Sequence, residues 1–362
     1  MSIEQITTTQ EFLELEAAWG ELTTEPLRSF SWHAAWWKSF GDSLQLKTYV
    51  YRADGQIVGI APFFVDRWMG QNRLRFIGSG ATCSDYVEVI SKPEFRPEFI
   101  EAIAEDIKLS KSVSMLELEG LCGADQIRRL PDNLASFWQY ERDMEPTWVI
   151  QLPSTFEEFV KSAKKSLRRK INKAKKRLDS GEVTVGSTSD GLETEFAFET
   201  LVDLHQKRFV SKGEPGVFAD PKFTSFLRSA TTELIEQDKA EIFVGFADDK
   251  PFVVHLYLLG EAGPQLYQSG ACVESMKLEP GHLMITHVVR KAIQAGFQEL
   301  DFLRGSEPYK MYWGAQPQEL LTVRCVSPRF APTIVNRTYL GLQALKRNLE
   351  SLMPSRAAAA VR

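Results

Sequence analysis

Apolar and polar positions change period several times along the chain, and the changes predict its elements. Helical spacing covers residues 9–22 and 31–40. Two β-rich runs then flank Ala53-Asp54-Gly55, a hairpin signal. Short strands are predicted at 73–78 and 85–90, a helix at 97–108, a strand at 113–120, a helix at 124–136 and a strand at 148–153. The second half repeats this order. Helices are predicted at 155–179, 193–210 and 220–236, followed by two β runs around Ala247-Asp248-Asp249 and a third strand in GPQLYQSGACV. A helix at 281–295 and a strand at 298–305 come next, and LLTVRCVS (320–327) is expected to close the second sheet.

The two hairpins superpose in pattern, with Val50 on Val244, Ala53 on Ala247 and Asp54 on Asp248. Together with the shared element order, this points to an internal duplication with a boundary near 145–148. The expected architecture is α/β, of the α+β type. It comprises domains at 1–147 and 148–335, each a mixed, mostly antiparallel sheet flanked by helices, and a C-terminal helix and tail at 336–362. Leu342, Leu345, Leu349 and Leu352 fall on one face of that last helix, a stripe that usually packs.

Composition adds few constraints. The 362 residues carry 43 basic and 48 acidic side chains, a formal net charge of −5. The N-terminus does not read as a secretory signal, and no run approaches a membrane span. Cys83, Cys122, Cys272 and Cys325 are far apart, and the five histidines form no zinc spacing, so no metal is expected. A cytoplasmic protein with reduced thiols is the expectation.

Charge changes the picture at one place. Residues 161–177, KSAKKSLRRKINKAKKR, hold ten cations and no acid. Val160, Ala163, Leu167, Ile171, Ala174 and Leu178 form one helical seam, so the block reads as a helix that buries a stripe and displays its cations. Like-charge i,i+4 pairs there oppose folding by about 1–2 kcal/mol. Either the acidic remainder of the chain offsets that cost, or an anionic ligand does: a diphosphate, an acidic glycan precursor or nucleic acid.

The densest chemistry lies in LDFLRGSEPYKMYWG, 300–314, where Asp301, Arg304, Glu307, Tyr309 and Lys310 follow the end of a strand. Ligands collect at such ends in open sheets. A salt-bridged turn, with Arg304 on Asp301 or Glu307, is the alternative reading. Further upstream, Pro280-Gly281 starts a helix whose first N–H groups can meet an anion.

In order, SFSWHAAWWKSFG, DGQIVGIAPFF, KKSLRRKINKAKKRL, LHQKRF, PGHL and DFLRGSEPYKMYWG resemble the bacterial CelD-like acetyltransferases of the GNAT superfamily, associated with cellulose and exopolysaccharide synthesis. The architecture is similar to that of Fem-type peptidyltransferases, which have two GNAT-like domains in tandem. The resemblance spans about residues 10–327. It implies transfer of an acyl group from acetyl-CoA or another acyl-CoA to an amine or hydroxyl of a small or polysaccharide-related acceptor.

In that reading Glu307 or Asp301 is the base, Tyr309 reprotonates the leaving group, and Lys310 stabilises negative charge or holds a phosphate. Arg304 orients a carboxylate, and a main-chain N–H near Gly270–Cys272 meets the oxyanion. Arg168 and Arg169 hold an acceptor phosphate, and Gly281, His282 and Leu283 hold the donor. The usual glycine-rich pyrophosphate loop is reduced to MKLEPGHL, with one glycine, and the first half has no counterpart. The resemblance therefore leaves two alternatives: a non-catalytic GNAT-like scaffold or regulator of exopolysaccharide synthesis, or a Fem-like transferase that uses aminoacyl-tRNA.

Overall fold

The computed structural model describes residues 1–352 apart from 81, 83, 87, 124 and 125. Cys83, one residue of the strand expected at 85–90, the first two residues of the helix expected at 124–136, and the tail beyond 352 lie outside the described residues. So do the side chains of Leu349 and Leu352.

Among the described residues, three sheets carry the chain. A seven-stranded sheet forms the second half, in the order Thr184–Ser187, Ala240–Ala247, Lys250–Leu259, Pro264–Ala271, Glu299–Arg304, Thr147–Gln151, Gln316–Gln318. Its neighbours are antiparallel except Pro264–Ala271 beside Glu299–Arg304, which are joined through the helix Pro280–Gln294. The first half splits at Pro62, which cannot donate to a ladder. Ser2–Ile6, Thr48–Ala53, Gln56–Ala61 and Ile90–Ser91 form a four-stranded sheet. Gln45–Leu46, Phe63–Trp68, Gln71–Phe76, Met115–Cys122, Leu320–Val326 and Trp138–Asp143 form a six-stranded one. The whole is a mixed α/β fold of sheets flanked by helices.

The two hairpins match in detail. The first has a register shift between Tyr51 and Arg52, the second between Gly245 and Phe246, the same positions once Asp54 is laid on Asp248. Both turns run through left-handed residues, Asp54 and Gly55 in one and Asp248 and Asp249 in the other. Such turns match the twist of the flanking strands.

Several expectations change. Leu342 and Leu345 are exposed rather than packed, and the helix expected at 9–22 is two, Thr9–Leu13 and Glu16–Gly20. LLTVRCVS does not close the second sheet: Leu320–Val326 crosses back and pairs with Met115–Cys122 and Trp138–Asp143 in the first half. There Val323 and Cys325 fill the core and Arg324 meets the buried Glu117. The run at 85–90 is a strand only at Ile90–Ser91, because Asp85, Tyr86 and Glu88 turn their side chains to partners elsewhere. The helix expected at 155–179 is two helices, Phe156–Ser162 and Lys165–Asp179, broken by extended Ala163 and Lys164. The seam survives in the second, where Leu167, Ile171 and Ala174 are buried.

The halves share a core. The aromatic helix Phe30–Phe40 of the first half packs on Pro221–Glu236 of the second. Trp32 meets Phe226 and Tyr267 edge-on, with centroids 4.9 and 5.0 Å away, and its indole N–H donates to Ser84 Oγ at 2.9 Å. The SWHAAWW stretch therefore fixes how the two halves meet.

Candidate functional site

The site begins with two parallel strands that part. Pro264–Ala271 and Glu299–Arg304 are in register only at Gln265 and Asp301. Beyond that point the second strand turns through left-handed Leu303 (φ 53°) and Gly305 (φ 142°). The first continues along Lys250–Leu259, where Cys272 N donates to Phe252 O at 2.9 Å. Hydrogen bonding alternates along an antiparallel ladder. The N–H groups of Ser269 and Ala271 therefore point to the other edge, into the opening. The sequence window Gly270–Cys272 narrows to Ala271, since Cys272 N is already bonded. Gly270 itself is required by packing: a Cβ there would sit 2.7 Å from the His205 backbone nitrogen of the helix Thr194–Val210.

Two cavities open on this parting. One, about 290 Å³, runs from Ser269–Ala271 to the start of the helix Pro280–Gln294 and includes Gly281 and His282. The first N–H groups of a helix lack intrahelical acceptors, so Gly281 and His282 offer two donors there. Leu283 does not line the cavity. Its side chain is in the core and its N–H donates to Glu279 O. The second cavity, about 690 Å³, lies between the halves and reaches Thr82 and Asp85 of the first and Arg304, Glu307 and Lys310 of the second. Arg208, Leu266, Ser269 and Tyr309 line both.

The turn after Glu299–Arg304 is tied to the first half. Arg304 donates to Asp85 through Nε at 2.9 Å and its backbone N at 3.1 Å, with a guanidinium nitrogen 2.6 Å from the same carboxylate. Burial pushes the Asp85 carboxyl up, against the pull of Arg304. Asp301, 7% exposed, accepts from Tyr86 Oη at 2.5 Å and from Leu303 N at 2.7 Å. Burial pushes its carboxyl up to about 7, with those two hydrogen bonds opposing. Asp301 faces a third cavity of about 460 Å³ and lines neither of the other two.

Lys310 is 2% exposed, and its ammonium donates to Leu303 O at 3.1 Å and Arg304 O at 2.8 Å and pairs with Glu307 at 3.0 Å. It fixes the turned backbone from beneath. Glu307 is more than half exposed at the edge of the larger cavity. Tyr309 is held against Phe302, and burial raises its phenol, so it stays protonated. His205 and His255, in the larger and smaller cavity, are driven by burial to about 4 and about 3 and are neutral at pH 7.

Of the basic helix, Lys170 reaches the smaller cavity, and the two arginines at its start do not. Arg168 donates to Val160 O, Lys161 O and Ala163 O at 3.0, 2.6 and 3.0 Å, capping the end of Phe156–Ser162. Arg169 is exposed and lines none of the three cavities. Lys170 and Lys173 meet Glu279. Arg177 meets Glu182 and Leu278 O, and Lys175 meets Asp179. Internal acids thus answer part of the block.

Arg208 was not picked out as a site residue. Its guanidinium has no hydrogen bond or ion pair among the described residues, and it stands where the two cavities join. Its sequence signal was position: it lies one turn after Leu204, on a helix whose buried stripe is Ala197, Leu201 and Leu204. Asp85 and Tyr86 carried no local signal, because their partners are more than 200 residues away. Among the described residues no group of side chains could hold a metal ion, and no helix is long and apolar enough to cross a membrane.

Residues 161–311 match the acetyltransferase (GNAT) domain family. Comparison with curated proteins gives no match. Among solved structures, FemX is similar over 89% of this chain and 97% of its own, at 13% identity and a TM-score of 0.61. A conserved protein of unknown function from Bacteroides thetaiotaomicron VPI-5482 is similar over 90% of this chain and 100% of its own, at 10% identity and a TM-score of 0.56. At these identities the likeness is one of fold. The segment holding the parted strands thus matches a GNAT acetyltransferase domain, and the fold around it is similar to that of FemX.

Proposed function

We propose that the protein is a GNAT-type acyltransferase that moves an acyl group from acyl-CoA to an amine or hydroxyl acceptor of the CelD-like, polysaccharide-related kind. The supporting observation is the junction: a narrow cavity at a helix N-terminus and a wider one between the halves meet at Arg208, Leu266, Ser269 and Tyr309. A donor reaches that point from one side and an acceptor from the other.

In this reading the donor phosphates lie at Gly281 and His282, and the thioester lies between the parted strands. The Ala271 N–H meets the carbonyl oxygen as it becomes negative. Glu307 takes the proton of the acceptor amine or hydroxyl. The new bond to the acyl carbon forms as the carbon–sulfur bond breaks, and Tyr309 Oη protonates the departing thiolate. Lys310, Arg304 and Asp301 position this machinery: Lys310 holds the turn, Arg304 joins it to Asp85, and Asp301 joins it to Tyr86.

The test is release of free CoA thiol from acetyl-CoA and longer acyl-CoAs with a panel of amines and hydroxylated sugars. Tyr309→Phe and Glu307→Gln should each lower turnover at least tenfold with the fold intact. CoA binding without thiol release on any acceptor would favour the scaffold reading. One observation favours an aminoacyl-tRNA donor as the second reading: Lys164, Lys165 and Arg169 are exposed together where Lys165–Asp179 begins. RNA bound with a steep salt dependence would support it.

A further inference from the structure

The residue before Pro280 is Glu279, held at φ 59°, a left-handed conformation uncommon outside glycine and asparagine. It stands at the N-cap of the helix Pro280–Gln294 but makes no side-chain cap bond to it. Its carboxylate turns to the basic helix instead. One oxygen meets Lys170 and the other lies 3.3 Å from Lys173. The two ammonium groups hold the carboxyl below its usual range, outweighing the burial that acts the other way. Lys170, Glu279, Gly281 and His282 all line the smaller cavity.

The cavity wall carries a second signal. Trp313, 2% exposed, has an indole N–H without a partner, and His282 Nδ1 is likewise unpartnered. An unpaired buried donor is costly, and a ligand acceptor would relieve it. Two ammonium groups beside a helix N-terminus form an anion site. Here the protein's own carboxylate fills it.

We propose that Glu279 is an anionic plug: a donor's phosphates displace it from Lys170 and Lys173, and the exchange sets which phosphorylated donors the cavity accepts. This rests on the donor reading above. A monoanionic carboxylate gives way to a pyrophosphate because the incoming group carries more charge and more acceptor oxygens. The single glycine of MKLEPGHL then fits, since side-chain ammonium groups take over part of what a longer run of backbone N–H groups does elsewhere. The basic block acquires a defined task at Lys170 and Lys173.

The experiment is calorimetric titration of CoA, and of pantetheine, which lacks phosphates, into the full chain and its Glu279→Gln, Lys170→Met and double variants. Glu279→Gln is isosteric, and both lysines it releases are substantially exposed, so the fold should persist. CoA should bind Glu279→Gln about three- to tenfold more tightly, the scale of two partly exposed ion pairs. Lys170→Met should weaken CoA binding, the double variant should follow Lys170→Met, and pantetheine should be indifferent to Glu279→Gln. Unchanged or weaker CoA binding by Glu279→Gln overturns the plug while leaving the donor site standing. Equal tightening for pantetheine also overturns it, because the effect would then be one of space rather than charge. If neither the wild type nor Glu279→Gln binds CoA, the donor reading fails and the plug with it.

Discussion

Replacing Lys310 by methionine separates a catalytic lysine from a structural one. The side chain is 2% exposed, and its three donors meet Leu303 O, Arg304 O and Glu307 at 2.8–3.1 Å. Methionine keeps the stem but leaves both carbonyls without their charged donor. Hydrogen bonds to a charged group contribute about 1.5 kcal/mol or more each, so two lost bonds amount to about 3 kcal/mol. Glu307 adds little, because its carboxylate is solvated once released. For a chain of this size that loss lowers Tm by about 4 °C. The strained backbone at Leu303 and Gly305 would also relax and carry Tyr309 with it. The assay is paired: urea or thermal unfolding beside turnover with acetyl-CoA. Loss of both is expected. Wild-type Tm with turnover abolished would refute the reasoning, since the ammonium would then be free for chemistry.

Three further outcomes follow from the geometry. The unfolded Asp301 carboxyl titrates near 4 and the folded one at about 7, so between those values the folded state holds the extra proton and stability falls as pH rises. Asp301→Asn should gain stability relative to the wild type from pH 4 to 7 and no more above it; a pH-independent difference in urea midpoints would contradict this. Arg168→Ala should cost about 1–2 kcal/mol by uncapping Phe156–Ser162 while Arg169→Ala costs almost nothing, read by thermal unfolding. Gly270→Ala forces a Cβ against the His205 backbone and should cost about 1–3 kcal/mol; an unaltered Tm would mean the helix yields there.

The elements were legible because their signals are local. Hairpins announced themselves at Asp54-Gly55 and Asp248-Asp249, and their likeness extends to the matching register shifts. The return of Leu320–Val326 to the first half was not legible, because an apolar strand fits either sheet and only the finished cores distinguish them. The break at Ala163–Lys164 escaped for a related reason: the seam spacing runs on through it, and Arg168 bonding to carbonyls stabilises the break from the far side.

Residues 301–310 are dense in chemistry by sequence alone, yet sequence could not apportion it. The salt-bridged turn is present in part. Arg304 pairs with an acid, but with Asp85 rather than Asp301 or Glu307. Glu307, Tyr309 and Lys310 line the cleft, where Lys310 also holds the turn, and Asp301 lies on another cavity. Arg208 and Glu279 became visible only when the fold brought the helix Thr194–Val210 and the basic helix against the cavities.

The central claim is that donor and acceptor meet where the two strands part. A crystal structure with bound coenzyme A tests it most directly. The account predicts the phosphates at Gly281 and His282, Glu279 withdrawn from Lys170 and Lys173, and the thiol beside Tyr309 and the Ala271 N–H. Coenzyme A in the cavity beside Asp301, or its thiol directed away from Tyr309, would contradict it.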